Sequence, residues 1–429
     1  MKRSRKLLSL LLAATMTVSM AATASAAFSD FTDVKGHWAE KTLNQAYSDG
    51  ILKGSGSKTM SPNSSVTTAQ AVTMLCRVLH VTGQGDTSSL QIPQGAWYTQ
   101  DAAKAVYAGL LDNRDAGQLD QSISRKDAFI LFDKAFQIAE AQPDLTVLDQ
   151  FPDATSLTGQ SQRAAAALVE AGIVSGSDGK LQIDRPLTRA EFATILYRLA
   201  DQYISAAAFT GHTGAGSVLS GDADLSGVQM GAIWFDQSAS NIRLTDVTAK
   251  QVTVRSDQLT SLAISGTGEI SRLVLAARSG DIMLDLPDSC PVSTVSVGDG
   301  SGTISFSGTT SAMEITGQHR TVNVNCSLDT LVISGSDCSV TVKKGCYIRN
   351  RTVHNTLQIN GNHFVRKIFT LTVQKDTGKE SISPESLSLL YQLLHRVHLT
   401  VQLIKPRTID GTTDLNLVLK TVEYGVNRH

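Results

Sequence analysis

Internal repetition constrains this chain more than any other feature. Phe31-Thr32-Asp33-Val34-Lys35-Gly36-His37-Trp38 opens a first segment. A helical pattern through Leu43, Ala46 and Tyr47 follows, then Gly50-Ile51-Leu52-Lys53-Gly54. After Ser61-Pro62-Asn63, Thr67 and Gln70 stand three apart as a capping box, before an apolar helical stripe from Met74 to Leu79. Trp97 precedes Gly109 by the same twelve residues that separate Trp38 from Gly50. Ile123-Ser124-Arg125 then repeats the second start signal. A third pass runs from Phe151-Pro152-Asp153 through Gly172-Ile173-Val174-Ser175-Gly176 to Leu187-Thr188-Arg189-Ala190-Glu191. Three units of helix, glycine turn and helix, about 60 residues apart, predict a helical array over 27–84, 90–140 and 147–204.

These residues resemble the S-layer homology family, whose marks are Phe-x-Asp-Val-x-Gly-His-Trp-Ala, Gly-Ile-Leu-x-Gly and Thr-Arg-Ala-Glu. The resemblance covers about residues 28–204. It implies a three-lobed helical module that binds secondary polysaccharide of a Gram-positive wall, often a pyruvylated one, and so a peptidoglycan-associated glycan as partner. It also implies that Asp33, Trp38, Gly54, Trp97, Arg125, Asp153, Gly176 and Arg189 line sugar grooves between repeats. An Arg fork can hold a ketal carboxylate through two charge-assisted hydrogen bonds. Trp offers a flat face to a sugar ring, and glycine lets backbone amides approach a ligand. Plain structural roles compete: Asp33, Thr67 and Thr188 as helix caps, Trp38 and Trp97 as core. Arg125 and Arg189, one residue past an N-cap, read as exposed. Repeat one has Thr68 in place of the Arg, repeat two lacks Phe-x-Asp, and repeat three has Leu157-Thr158-Gly159-Gln160 in place of the Trp segment. One or two working grooves are therefore expected.

Lys2 to Lys6 is basic, Leu7 to Ala22 is apolar, and Ala24-Ser25-Ala26 fits a small-x-small cleavage site. A signal peptide over 1–26 is expected, hence an extracellular, wall-associated chain with no membrane span after cleavage. Lys plus Arg number 38 against 39 Asp plus Glu, so no nucleic-acid partner is expected. Five cysteines, Cys76, Cys290, Cys326, Cys338 and Cys346, leave at least one thiol free. Cys76 sits in an apolar helix, and a Cys338–Cys346 or Cys326–Cys338 bridge is open.

Residues 205–220, rich in Ala, Gly and Ser, read as a linker. Over 221–365, nine short runs alternate with period two, among them 252–254, 273–275, 295–297 and 331–333, separated by Gly, Asn, Asp and Ser. They predict a β-solenoid, with a β-sandwich as the alternative. Residues 366–429 read as a small mixed α/β segment of unassigned role, with strands around 368–373, 399–401 and 415–422 and a helix around 383–394. The fold class is thus multidomain: all-α, then mainly β, then α/β. No nucleophile–base motif, zinc signature or phosphate loop appears, so no catalytic residue, cofactor or metal is expected. The function that follows is wall anchoring by the repeats with the β-region as spacer or adhesive surface. The alternative is a wall-anchored polysaccharide-active enzyme with a β-helix domain.

Overall fold

The computed structural model describes residues 27–287 and 292–353, with short strands at 358–360, 399–403, 407–409, 412–414 and 417–421. The expected signal peptide, Cys290, the strand around 368–373 and the helix around 383–394 lie outside the described residues. No described helix is long and apolar enough to cross a membrane.

Among the described residues, six α-helices build the N-terminal region: α1 (Glu40–Ser48), α2 (Thr68–Val78), α3 (Thr99–Tyr107), α4 (Arg125–Phe136), α5 (Gly159–Glu170) and α6 (Arg189–Leu199). The capping signals read from the sequence form as expected. Thr67 Oγ1 accepts from the Gln70 amide at 3.2 Å, and Gln70 Oε1 accepts from the Thr67 amide at 3.3 Å. Thr188 and Glu191 repeat the exchange at 3.2 and 2.8 Å.

The first helix of each unit ends on a left-handed glycine, at φ 70° for Gly50, 73° for Gly109 and 68° for Gly172. Beyond it, two amides fold back onto one carbonyl: Ile51 and Leu52 onto Ala46, Leu110 and Leu111 onto Ala105, Ile173 and Val174 onto Leu168. A cation from the second helix then staples each turn. Arg77 donates to the Ile51 carbonyl at 2.8 Å, Lys134 to Leu110 at 3.2 Å and Arg198 to Ile173 at 3.0 Å. The three second-helix entrances close a hydrogen-bonded ring. The Val66 amide donates to Leu187 (2.9 Å), Leu187 to Ile123 (3.1 Å) and Ile123 to Val66 (3.0 Å).

A β-solenoid of about eight turns follows. Even-numbered strands β2 (Ser217–Ser220), β4 (Gln229–Phe235), β6 (Thr248–Val254), β8 (Ile270–Leu275), β10 (Val292–Val297), β12 (Thr310–Ile315), β14 (Leu328–Ile333) and β16 (Ile348–Val353) stack into one long parallel sheet. Odd-numbered strands β3 (Ala223–Ser226), β5 (Asn241–Thr245) and β7 (Ser261–Ser265) begin the opposite face. β9 (Ile282–Leu286), β11 (Thr303–Gly308), β13 (Thr321–Val324), β15 (Ser339–Val342) and β17 (Gln358–Asn360) continue it. Register partners such as Val252, Leu273, Val295, Met313 and Leu331 stack in one buried column. Leu284, Phe306 and Val324 face them from the other sheet. Every pairing between these strands is parallel, which excludes the antiparallel sandwich.

All nine period-two runs of the sequence fall within strands. β1 (Gln202–Ser205) through β5, β12, β16 and β17 were not foreseen. Composition misleads at 205–220. Gln202 to Ser205 pair residue for residue with Ser217 to Ser220, and Ala206 is buried in the solenoid core, so the stretch builds the first rung.

The outer face of the long sheet is covered by the helical region. Helix α4 ends at Gln137, a left-handed residue at φ 54°, with its last carbonyls unpaired by the helix. The solenoid supplies their donors. Trp234 Nε1 reaches the Phe136 carbonyl at 2.8 Å and Gln251 Nε2 reaches it at 3.0 Å. Arg255 Nη1 takes Lys134 and Ala135 at 3.1 and 3.0 Å. Arg272 takes Gln137 and Ala139 at 2.8 and 2.9 Å. Cations at a helix C-terminus also complement its dipole.

Residues 361–429 form a separate unit. There β18 (Leu399–Leu403) pairs antiparallel with β21 (Leu417–Thr421), and β19 (Arg407–Ile409) with β20 (Thr412–Asp414). The strands expected near 399–401 and 415–422 are present.

Candidate functional site: the grooves between helical repeats

Each second helix presents its free N-terminal amides to the preceding or following unit. Arg189 and Ala190 donate to the Ser64 and Pro62 carbonyls, Arg125 and Lys126 to Arg185 and Ile183, Thr68 and Ala69 to Gln121 and Leu119. The residue after the N-cap is thereby carried into the seam with a neighbour.

In the seam between α6 and the first unit, Arg189 Nε donates to the Met60 carbonyl at 2.9 Å and Nη2 to the Lys53 carbonyl at 2.7 Å. Asp33 accepts from the Met60 amide at 2.9 Å and the Ser61 amide at 2.7 Å, so it braces this loop and caps no helix. Burial works against its charge, yet the two amides and Arg189 hold its carboxyl below the usual range.

The seam between α4 and the third unit repeats the plan. Arg125 Nε donates to the Leu181 carbonyl at 2.7 Å, and Asp153 accepts from the Leu181 amide at 2.9 Å. The Arg125 guanidinium also lies 5.4 Å from the Phe129 ring centroid. The expectation of exposed arginines fails: Arg125 is 8% and Arg189 6% exposed, because the adjoining unit lies over each one. Burial lowers the pKa of both guanidinium groups, which stay protonated. Among the described residues, neither terminal nitrogen of Arg125 and only one of Arg189 has an acceptor.

The third seam differs. Thr68 replaces the arginine, so no guanidinium enters it from α2. Trp38 and Trp97 are 64% and 61% exposed, which removes them from the core. Trp38 lies against His37 at 5.4 Å, and Trp97 packs edge-on to Tyr98 at 5.5 Å.

Gly54 and Gly176 have a steric role instead. A Cβ on Gly54 would stand 2.6 Å from the Phe31 ring, and one on Gly176 2.5 Å from the Phe151 ring. Sequence reasoning missed Arg185, whose fork grips Glu191 at 2.6 and 3.0 Å beside Arg125. Its position two residues before the third start signal offered no cue.

A separate cleft of about 340 Å³ opens between Gly109, Arg114 and Lys134 and the solenoid corners at Arg278 and Asp299. Its Asp112 is clamped by Arg114 at 2.9 Å, which holds that carboxyl well below the usual range.

Residues 30–72 and 150–193 match the S-layer homology domain. The chain is 28% identical over 204 residues to the S-layer protein Sap of Bacillus anthracis, covering 46% of this chain and 25% of the relative. It is 24% identical over 198 residues to the surface-layer 125 kDa protein of Lysinibacillus sphaericus, covering 43% of this chain and 16% of that one. An amylopullulanase of Thermoanaerobacterium thermosulfurigenes is 27% identical over 179 residues, 40% of this chain and 10% of the enzyme. The match therefore spans a quarter or less of each of these relatives. The two S-layer homology segments contain Asp33, Trp38, Gly54, Asp153, Gly176 and Arg189; Trp97 and Arg125 lie outside both.

Proposed function

We propose that residues 27–204 hold an exported chain non-covalently to a Gram-positive-type cell wall by binding acidic secondary polysaccharide in the Arg125 and Arg189 seams. In this reading 90–140 is a third S-layer homology repeat, diverged in sequence, and the protein is non-catalytic. The solenoid is its outward spacer or adhesive surface. The carrying observation is the pair of arginines oriented by backbone carbonyls, with terminal nitrogens still free to donate. A carboxylate on the glycan would take those donors as a charge-assisted fork in a place shielded from water. The exposed Trp38 and Trp97 add flat surface for sugar rings. Likeness to named S-layer proteins supports the location at the cell surface.

The test is sedimentation of the full chain with purified walls, before and after stripping of the secondary polysaccharide. Arg125→Lys/Arg189→Lys keeps positive charge and removes the fork. Each charge-assisted fork contributes about 1.5–3 kcal/mol, so binding should fall roughly ten- to hundredfold per arginine. Undiminished binding by a folded double variant would overturn the mechanism.

The names of the amylopullulanase and of an endoglucanase from Bacillus sp. (strain KSM-635), 25% identical over 214 residues, favour a second reading as a polysaccharide-active enzyme. A general acid works best with a raised pKa, which the clamped Asp112 lacks. Release of reducing ends from wall glycan by the purified chain would favour the enzyme.

A further inference from the structure

Cys326 and Cys346 occupy one corner of successive solenoid rungs. Strands β14 and β16 run parallel with Leu328 opposite Ile348, and each cysteine precedes its member of that pair by two residues. The register holds into the corner: the Leu328 amide donates to the Tyr347 carbonyl at 2.9 Å, and the Tyr347 amide to Ser327 Oγ at 3.2 Å. Neighbouring strands lie about 4.8 Å apart, inside the Cα separation of about 4.4–6.8 Å that a disulfide spans. Both side chains are half-buried, and both are free thiols here. Burial, and then the nearby Cys346, push the Cys326 thiol up to about 11.

The other described cysteines do not compete. Cys338 is buried at the other end of β15 from Cys346, with its Sγ donating to the Gly317 carbonyl at 3.2 Å, and Cys76 is buried in α2. Parallel stacking explains why neither sequence-level pairing is favoured, since the bridge needs equivalent positions on adjacent rungs.

We infer that Cys326 and Cys346 are a disulfide site that staples the β14 rung to the β16 rung in an oxidising medium. The thiolate of one cysteine attacks a disulfide-bearing oxidant, such as oxidised glutathione or a thiol oxidoreductase of the envelope. The second thiolate then displaces the oxidant's sulfur from the mixed disulfide. Two thiol protons leave, one S–S bond forms, and the oxidant's disulfide is reduced to two thiols. The high Cys326 pKa keeps its thiolate scarce at neutrality, so uncatalysed closure should be slow there and faster at alkaline pH.

The full chain, reduced, desalted and then incubated with oxidised glutathione, can be trapped with iodoacetamide in denaturant and digested. A reducible peptide pair joining Cys326 to Cys346 is expected, forming faster at about pH 9 than at about pH 7. Oxidised protein should melt several degrees above reduced protein, and Cys326→Ser or Cys346→Ser should abolish that difference. The wild-type comparison needs no substitution, so a variant that fails to fold does not blunt the test. Alkylation of both residues after oxidation, persistent glutathione on either, or a dominant link to Cys290 or Cys338 would overturn the assignment.

Discussion

A buried guanidinium is costly unless every group it meets is satisfied, and Arg189 shows how that cost is offset. Its Nε and Nη2 supply donors to the Met60 and Lys53 carbonyls, which would otherwise be left unpaired in the seam. Arg189→Ala removes both donors and leaves a void. We expect it to destabilise the helical region by about 2–4 kcal/mol in urea unfolding. A loss under about 0.5 kcal/mol would mean that water replaces the side chain freely. The family resemblance singled out this arginine, and its place after an N-cap led to the mistaken expectation of exposure. Helical periodicity describes one helix and carries nothing about the unit laid over it. The tryptophans were undecided for the same reason, and Gly54 was expected to line a groove, not to seat the Phe31 ring.

Single contacts between elements also join the helical region to the solenoid. His80, just past α2, places Nδ1 2.7 Å from Oδ2 of Asp236, a fully buried carboxylate in the turn after β4. Asp236 is also tied to the Ser238 amide at 2.8 Å. The hydrogen bond to Asp236 raises the His80 pKa above its ordinary 6.5, and burial partly opposes the rise. A raised folded-state pKa means that the pair stabilises fully below the unfolded value and is lost as pH climbs through the folded one. His80→Gln should therefore lower the melting temperature at about pH 5 and have little effect at about pH 9. An equal shift at both would show that charge plays no part. Strand elements were the most legible in the sequence, because buried Val, Leu and Ile alternate with outward polar residues. β12 escaped although Met313-Glu314-Ile315 alternates in the same way as the runs that were read. Nothing in the sequence marks Gln251, Arg255 and Arg272 as contact positions, and only the three-dimensional arrangement reveals α4 above them.

Over the described residues up to 353, the helical region and the solenoid share one connected framework. β1 continues from α6 into the long sheet, and Trp234 belongs to the core of the helical region. Helix and sheet signals in circular dichroism should therefore disappear in one transition on heating, with Arg255→Ala/Arg272→Ala separating them into two. Two transitions in the parent protein would show that the interface contributes little. The region 205–220 should likewise resist limited proteolysis, against what its composition implies.

The contacts from α4 have a mechanical consequence. They touch Trp234 on β4, Gln251 on β6 and Arg272 on β8, so one helix end acts as a splint across three consecutive turns of the coil. Tension on the chain beyond residue 360 should unspool the unsplinted distal turns first. Each turn that frees 18 residues, the offset from Val295 to Met313, would lengthen the chain by about 60 Å. Extension should then halt at the splint until a higher force shears the arginines from the helix end. An anchored chain built this way would yield at its outer end under flow while its grip on the surface stays loaded but intact.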